Sequence, residues 1–492
     1  MALADYFHRS AIAASQVVAG FDEDAIRRRV SDVTVGISLG DSPTSEGLAI
    51  ADLANRLVAR LYPTLILEGR AGELAELARL INPEIEIGTG RPDILLAIGE
   101  DAPADATRVI YAGSEGWLAR LSTAAPMAAG ESSNPFGAGT AACLAVANVF
   151  RAVFLDGESQ LDCDTQLSAL DFATGPNAKS GAEELDRVDI GEAVLVGAGA
   201  IGHGAVWAFE RAPCHGRLHV VDNERLELSN LQRYVLATRQ DEHRLKTELA
   251  EEHAGAIELT GHPTQWESFC AESGYQWERV LVALDSARGR RAVQASLPMW
   301  IANAWTQPGD LGVSTHPWTE TGACLSCLYL PQRSSDGEDT IIAQALGLAD
   351  MQMEVRRLLH TGQPVPRALL TTIEKQLELP AGAADAFDGR TLRELYIEGL
   401  CGGTLVSLDQ LERPRQEVHV PIAHQSALAG VLLAGRLVAE RLGLVPDQTT
   451  VTRINVMHTL GEDLAQPMQK DPRGICICQD PVYRAAYEGK WR

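Results

Sequence analysis

The stretch that most constrains the fold is an apolar strand run, Val194, Leu195 and Val196, that breaks at Gly197-x-Gly199-x-x-Gly202. An apolar helical stretch follows (Ala205, Val206, Ala208, Phe209), then a second buried run, Leu218 with Val220 and Val221, that ends in Asp222. This order is the βαβ fingerprint of a nucleotide site. One glycine makes the tight turn, one lets the backbone approach phosphate, one lets helix pack on strand, and the acid reaches a ribose hydroxyl. The N-terminus of such a helix offers unpaired amides to an anion. Dehydrogenases, flavoproteins and some ATP-using enzymes share this motif, so by itself it defines a fold and not a reaction.

At 492 residues the chain exceeds one ordinary domain, and two or three are expected. A hydrophobic content of 46% with 22% charged residues describes a soluble globular protein. The formal net charge of −24 lacks the basic footprint that non-specific nucleic-acid binding requires. The acidic balance suits either solubility or a basic partner surface. The start Met1-Ala-Leu-Ala-Asp-Tyr6 has no basic region before an apolar core, so no signal peptide is expected. With no uninterrupted apolar run of about 20 residues, no membrane span is expected either. Nine cysteines, an odd number scattered over a long chain, suit a reducing cytoplasm better than a disulfide framework.

The residues beyond Asp222 narrow the chemistry. The chain continues Asp222-Asn-Glu224, then Ser229-Asn230-Leu231-Gln-Arg233-Tyr234, then Lys246, and later a buried run ending at Asp285. This resembles the family of ubiquitin-activating, molybdopterin- and thiamine-biosynthesis adenylyltransferases (the ThiF and MoeB group). The pattern there is Asp-x-Asp, Ser-Asn-Leu-x-Arg, a downstream Lys and an Asp after a buried strand. Two departures stand out: Glu224 replaces the second Asp, and Tyr234 replaces the usual Gln. Neither removes a charge that the chemistry needs. Within bacteria the layout is most similar to activating enzymes of antiphage ubiquitin-like operons, of the Bil type.

The resemblance implies an α/β protein with two Rossmann-like adenylation-type domains, the first degenerate and the second active. Residues 1–185 read as the degenerate copy. Strand-like runs near Val33, Leu65, Ile94 and Val109 alternate with helices, one of them expected to be capped by Ser45, but no Gly-x-Gly-x-x-Gly follows the first strand. Two small-residue helices, one after Pro135 and one after Pro421, suggest duplication, since small residues let a helix lie close on a sheet. Residues 171–186 read as a linker. Residues 186–330 hold the nucleotide half of the active domain, 331–415 an insertion, and 416–492 the remainder of the active domain.

The same resemblance assigns roles. ATP would lie against Gly197, Gly199 and Gly202 with its ribose on Asp222. Glu224, Asn230, Arg233 and Lys246 would surround the phosphates, and Asp285 would hold Mg²⁺. Arg290 is a candidate helper, with Arg288 and Arg291 competing. Arg9 reads first as an ordinary surface arginine; as an N-terminal arginine does in relatives, it would instead reach the ATP site. Cys324-x-x-Cys327 and Cys476-x-Cys478 offer four thiolates for a structural Zn²⁺, although the family more often carries two CxxC pairs. Cys401, followed by Gly402 and Gly403, is expected on accessible backbone and is the candidate nucleophile, ahead of Cys163, Cys214 and Cys270. His203 and His424 read as packing residues.

The expected activity is ATP-dependent adenylation of the C-terminal carboxylate of a ubiquitin-like protein ending in glycine. Thioester formation on Cys401 and transfer to a conjugating enzyme would follow. The alternative is a sulfur-carrier adenylyltransferase that forms no enzyme thioester. A nicotinamide dehydrogenase would leave Arg233, Lys246 and Asp285 without roles, and a non-catalytic scaffold would exchange no pyrophosphate. The sequence is compatible with association of copies of the chain into a homo-oligomer.

Overall fold

Continuous apolar runs at two places in the chain seed two sheets. The computed structural model describes residues 3–18, 22–155, 161–181, 185–308, 310–330, 338–377, 379–380, 382–396, 420–462 and 464–491. The chain opens with helices α1 (Phe7–Val17) and α2 (Glu23–Ser31). Strand β1 (Val35–Leu39) leads to α3 (Ser45–Val58), β2 (Thr64–Gly69), α4 (Ala75–Ile81), β3 (Glu86–Gly88) and β4 (Ile94–Ile98). Strands β5 (Arg108–Glu115) and β6 (Leu118–Ser122), helix α5 (Pro135–Phe154) and β7 (Thr165–Ser168) complete the first half.

The second half repeats the plan. Strand β8 (Asp189–Val196) is followed by α6 (Ala200–Arg211), β9 (His215–Val221), α7 (Lys246–Glu252), β10 (Glu258–His262) and α8 (Trp266–Ser273). Next come β11 (Arg279–Val282), α9 (Ala287–Ala295), β12 (Trp300–Thr306), β13 (Leu311–Pro317) and α10 (Leu325–Leu328). Helices α11 (Glu338–Ala345), α12 (Gln352–Thr361), α13 (Arg367–Gln376) and α14 (Leu392–Glu394) follow, and the chain ends with α15 (Ala423–Arg441), β14 (Thr450–Thr452), β15 (Ala465–Pro467) and α16 (Pro481–Trp491).

The strand orders are β3-β2-β1-β4-β5-β6-β7 and β10-β9-β8-β11-β12-β13-β14-β15. In each sheet the first five strands run parallel and the remainder antiparallel. Position by position, the second sheet is the first with one strand added. Every residue of β1 and of β4 is buried, as strands covered on both faces must be. The chain therefore holds two Rossmann-like sheets of one topology.

Helix α3 is capped by Thr44, whose Oγ1 accepts from the Gly47 amide at 3.0 Å. Ser45, the residue expected to cap it, is the first helical residue instead. The stretch expected to be a bare linker also packs: the Trp117 amide donates to the Ser180 carbonyl at 2.7 Å. Helix α5 is long and apolar enough to cross a membrane by length and composition, but 94% of that window is buried inside the protein. It passes the test because it is a core helix.

The two halves join through the small-residue helices. A Cβ added at Gly430 of α15 would stand 2.1 Å from the Ile201 carbonyl, and one at Gly139 of α5 would stand 2.7 Å from the Trp207 ring. Both glycines are needed for helices to approach this closely. Beside them Asp52 of α3 accepts from Trp207 Nε1 (2.8 Å), Arg211 Nη2 (2.8 Å) and Arg56 Nε (3.0 Å). Burial opposes ionisation of Asp52, but Arg56 and Arg211 outweigh it and hold its carboxyl below the usual range. With the folded value below the unfolded one, the stabilisation is complete above about pH 4 and disappears as pH falls through the folded value. Asp52→Asn should therefore cost about 2 kcal/mol at neutral pH, because it removes the charge that both guanidiniums share, although Arg211 keeps Glu210 and Arg56 keeps the Val235 carbonyl. Urea unfolding at neutral and acid pH checks this; an equal loss at both would refute the electrostatic account.

The protein divides into two units, one of Met1–Leu330 with Val420–Arg492 and one of Pro331–His419. The second unit is a small helical body. Val355 and Leu358 of α12 and Leu369, Leu370 and Ile373 of α13 bury their side chains in a core that also takes Phe387 and Leu392. Gly347, at φ 70°, separates α11 from α12. Cys401 lies outside the described residues.

Candidate adenylation site

The site forms where β8 ends. Gly197 lies at φ 101°, where an added Cβ would stand 2.7 Å from the Ala283 carbonyl, and a Cβ at Gly202 would stand 2.3 Å from the Gly197 carbonyl. One glycine permits the turn and the other the close helix–strand approach. Gly199 precedes the first residue of α6, and the nearest atom to an added Cβ there is Tyr234 Oη at 3.6 Å. A side chain there would come into van der Waals contact with Tyr234 in front of the helix N-terminus.

Asp222 follows β9 and its carboxylate accepts from the amides of Ala198 and Glu224, both at 2.8 Å. Burial pushes its pKa up, while Lys246 and the two amides oppose the rise. Lys246, at the start of α7, has a side chain only 4% exposed and pairs with Glu224, which is 67% exposed. Burial penalises the ammonium, but Tyr234, Asp222 and Glu224 outweigh that penalty and hold its pKa above the ordinary lysine value. It is a permanent cation at the mouth of the site.

Asn230 gives its side-chain carbonyl to the Glu227 amide at 3.1 Å, which shapes the turn before Arg233. Tyr234, the departure from the family pattern, is buried at the centre of the group. Its ring centroid lies 5.4 Å from Arg233 Cζ, 5.2 Å from Lys246 Nζ and 4.6 Å from the His203 ring. His203 is buried with Nδ1 unpartnered, and burial holds it neutral. Asp285 follows β11, is exposed, and makes no hydrogen bond or ion pair among the described residues, so its oxygens are available to a cation. Arg290 turns inward to Asn303, the Ala304 carbonyl and the Leu284 carbonyl, with Tyr329 against it at 5.0 Å. It braces the β11–α9 turn and has no guanidinium face left for phosphate.

Arg9, for which an ordinary surface position was the leading expectation, is half-buried beside Arg233. Burial, then the neighbouring Arg233, hold its pKa down, and its buried Nε has no partner. The segment before α1 is seated on the second half by Ala4 and Tyr6, packed with Ala200, Leu231, Tyr234 and Leu249. Two guanidiniums beside each other with an orphaned donor suit a polyanion, because leaving that donor unpaired costs roughly 1–3 kcal/mol. Arg9→Ala should accordingly lower ATP-dependent activity by about 100-fold while leaving the melting temperature unchanged or slightly raised. Parallel activity and thermal-melt measurements separate the two effects.

Sequence reasoning missed Arg56 and Arg60 of the first half. Arg60 Nη2 donates to the carbonyls of Tyr234 (2.5 Å) and Ala237 (2.7 Å), and Arg56 Nη1 donates to that of Val235 (3.2 Å). They pin the segment after Arg233 from the last turn of α3 and the turn beyond it, more than 170 residues away, so no local pattern announces them.

The first sheet lacks these features at the same places. Leu39 pairs with Gly69 and Ile98 as Val196 pairs with Val221 and Val282. By this register Arg70 stands where Asp222 stands, and Asp101 where Asp285 stands. A Cβ at Gly40 would lie 2.1 Å from Asp101 Oδ1, so an acid closes over the turn that should face phosphate.

A second group of residues lies apart from the nucleotide site. Cys324, Cys327, Cys476 and Cys478 are buried, and their sulfurs all lie within 4.8 Å of one another. Three sulfur pairs are 3.4, 3.6 and 4.0 Å apart, near the ~3.8 Å edge of a tetrahedron with Zn–S bonds of about 2.3 Å. The donor set fits zinc. Of the other described cysteines, burial pushes Cys214 and Cys270 up to about 12 and Cys143 higher still, which makes them poor nucleophiles, whereas Cys163 is exposed.

The two-sheet fold and this cationic, glycine-lined mouth define an adenylyltransferase of the ThiF/MoeB, E1-like superfamily. The chain belongs to the ThiF family, whose sequence model matches residues 176–459. Residues 40–155 match a second family described as prokaryotic E2 family C, and that stretch carries most of the first sheet. The Sinorhizobium fredii protein y4jF is 41% identical over 510 residues, covering 100% of this chain and 98% of that protein. The sulfur carrier protein adenylyltransferase of Thermus thermophilus is 27% identical over 210 residues, covering 39% of this chain and 77% of that one. Among solved structures, E. coli MccB with MccA-N7isoASN matches at a TM-score of 0.35 and 14% identity, covering 59% of this chain and 67% of that chain. E. coli tRNA N6-threonylcarbamoyladenosine dehydratase, TcdA, matches at 0.21 and 18%, covering 24% and 52%.

Proposed function

We propose that the protein activates the C-terminal carboxylate of a ubiquitin-like protein ending in glycine. The carboxylate oxygen bonds to the α-phosphorus of ATP as the bond to pyrophosphate breaks, which yields an acyl-adenylate. The Cys401 thiolate then bonds to the acyl carbon and AMP departs, leaving a thioester for a conjugating enzyme's cysteine to accept. Arg9, Arg233 and Lys246 carry the positive charge that the growing phosphate anion needs. Asp222 and the glycine turn orient the nucleotide, with Glu224 holding Lys246 in place. A magnesium ion held by Asp285 would supply Lewis-acid neutralisation of the phosphates. The supporting observation is the orphaned Arg9 Nε beside Arg233 at this mouth.

The proposed setting is the cytoplasm, within an antiphage ubiquitin-like conjugation operon of the Bil type. Gene neighbours test it: a small β-grasp reading frame ending in glycine, a conjugating-enzyme homologue and a peptidase are expected. A second reading is adenylation of a sulfur carrier without an enzyme thioester, favoured by the Thermus relative. Purified protein with ATP and the neighbouring carrier should exchange labelled pyrophosphate into ATP under either reading. A thiol-sensitive adduct that disappears in Cys401→Ala supports the thioester; exchange without an adduct supports the sulfur-carrier reading. Absence of exchange refutes both.

A further inference from the structure

A small cavity of about 20 Å³ lies behind the adenylation site, between α1, the end of α3, α5 and the start of α15. Arg60, Tyr62, His424, Gln232, Phe150 and Ser10 are among the residues lining it. Arg60, Tyr62 and His424 are 2%, 1% and 3% exposed. Four of their polar atoms have no partner: Arg60 Nε and Nη1, Tyr62 Oη and His424 Nε2. Such a concentration of orphaned groups in one hole is unusual, since buried polar atoms nearly always find a partner. The hole is large enough for one small species, because a single water requires roughly 10–15 Å³.

The charge in this hole decides which species. Among the described residues lining it there is no carboxylate. Arg60 gives Nη2 to two backbone carbonyls and, among the described residues, has no carboxylate against it; its neighbours are a second cation, Arg56, and the Tyr6 phenol, which hydrogen-bonds it. The Tyr6 phenol beside it stays neutral, its pKa pushed up to about 12 by burial. Two guanidinium N–H groups and the Tyr62 O–H are donors, and a neutral imidazole can set its proton on Nε2 to become a fourth. The side-chain oxygens of Gln232 and Ser10 in the lining are neutral, so a cation finds no anionic ligand here. A neutral water would accept at most two of these donors and would leave the guanidinium charge uncompensated in a low-dielectric interior.

We propose that this cavity binds a halide-sized monovalent anion, chloride under ordinary conditions, held by Arg60, Tyr62 and His424. The bound anion fixes the guanidinium that carries the Tyr234 and Ala237 carbonyls, and so braces the segment behind Arg233 from within the protein. It is separate from the substrate phosphates, and the assignment does not depend on which carboxylate the enzyme activates.

Crystals of the full chain grown in sodium bromide test the assignment directly. An anomalous bromine peak in the cavity is expected; ordinary water density without anomalous signal overturns it. In solution, replacing gluconate by chloride at constant ionic strength should raise the melting temperature by about 2 °C, as a ligand of the folded state does. Tyr62→Phe keeps the ring and removes one donor, and should shrink that shift by at least half. Arg60→Met should abolish it if the variant folds. Equal melting in chloride and gluconate for the unaltered protein rejects the proposal even where a variant is too unstable to purify.

Discussion

Replacing Lys246 by methionine is expected to lower carrier-dependent ATP–pyrophosphate exchange by about 1,000-fold while moving thermal stability little. The ammonium is nearly buried, its charge is secured by Asp222, Glu224 and the Tyr234 ring, and it lies at the end of the sheet where open α/β folds place ligands. Removing one preorganised charge from a site that must stabilise a developing anion typically costs two to three orders of magnitude. The stability effect should be small for a separate reason. Glu224 is 67% exposed, so water takes over once its partner is gone, and exposed pairs contribute little. Methionine retains the apolar stem that packs under Tyr234. Lys246→Arg should not restore activity, since a planar fork does not fit a slot that holds a compact ammonium against an aromatic face. Steady-state exchange with nucleotide binding measured separately checks both claims. Unaltered exchange in Lys246→Met would remove the lysine from the chemistry.

The residues that act through the local chain were legible before the fold was. Gly197, Gly199, Gly202 and Asp222 announce themselves because a turn, a close approach and an acid after a strand recur at fixed spacing. The four cysteines do so because thiol ligands come in close pairs. The duplication was visible only as a layout, since short apolar runs say that strands exist and not in which order they pair. Contacts between distant segments stayed concealed. Arg9 reaches Arg233 across 224 positions (233 − 9), and Arg60 reaches the Tyr234 carbonyl across 174. Such contacts leave no periodicity. Tyr234 was legible as a harmless substitution, whereas its ring is the surface on which Arg233, Lys246 and His203 converge. Arg290 misled in the opposite direction: its position after the strand suggested a role towards phosphate, but buried carbonyls compete for the guanidinium and win.

Stripping metal from the four-cysteine cluster is expected to lower the melting temperature by more than about 10 °C and to free the C-terminal segment for proteolysis. Structural zinc contributes apparent binding free energies of roughly 10–16 kcal/mol, as large as the whole stability of an ordinary domain. The two pairs belong to segments far apart: Cys324 and Cys476 are 152 residues distant, and the span between them contains the entire second unit. Helix α15 and the β13–β14 pairing already bring the chain back to the sheet, and beyond β15 the metal and the small apolar cluster around Ala323 hold the C-terminal segment. Four buried thiols with no disulfide between them are a poor core by themselves, because each thiol fills space with few of the contacts that a branched side chain makes. Elemental analysis of protein purified without chelator should give one zinc per chain, and Cys327→Ser or Cys478→Ser should lose it together with the thermal stability. Nucleotide binding should survive in those variants at low temperature, since no residue of the Gly197 turn touches the cluster. Purified protein that contains no zinc yet melts at the same temperature with and without chelator would show that packing alone closes the loop.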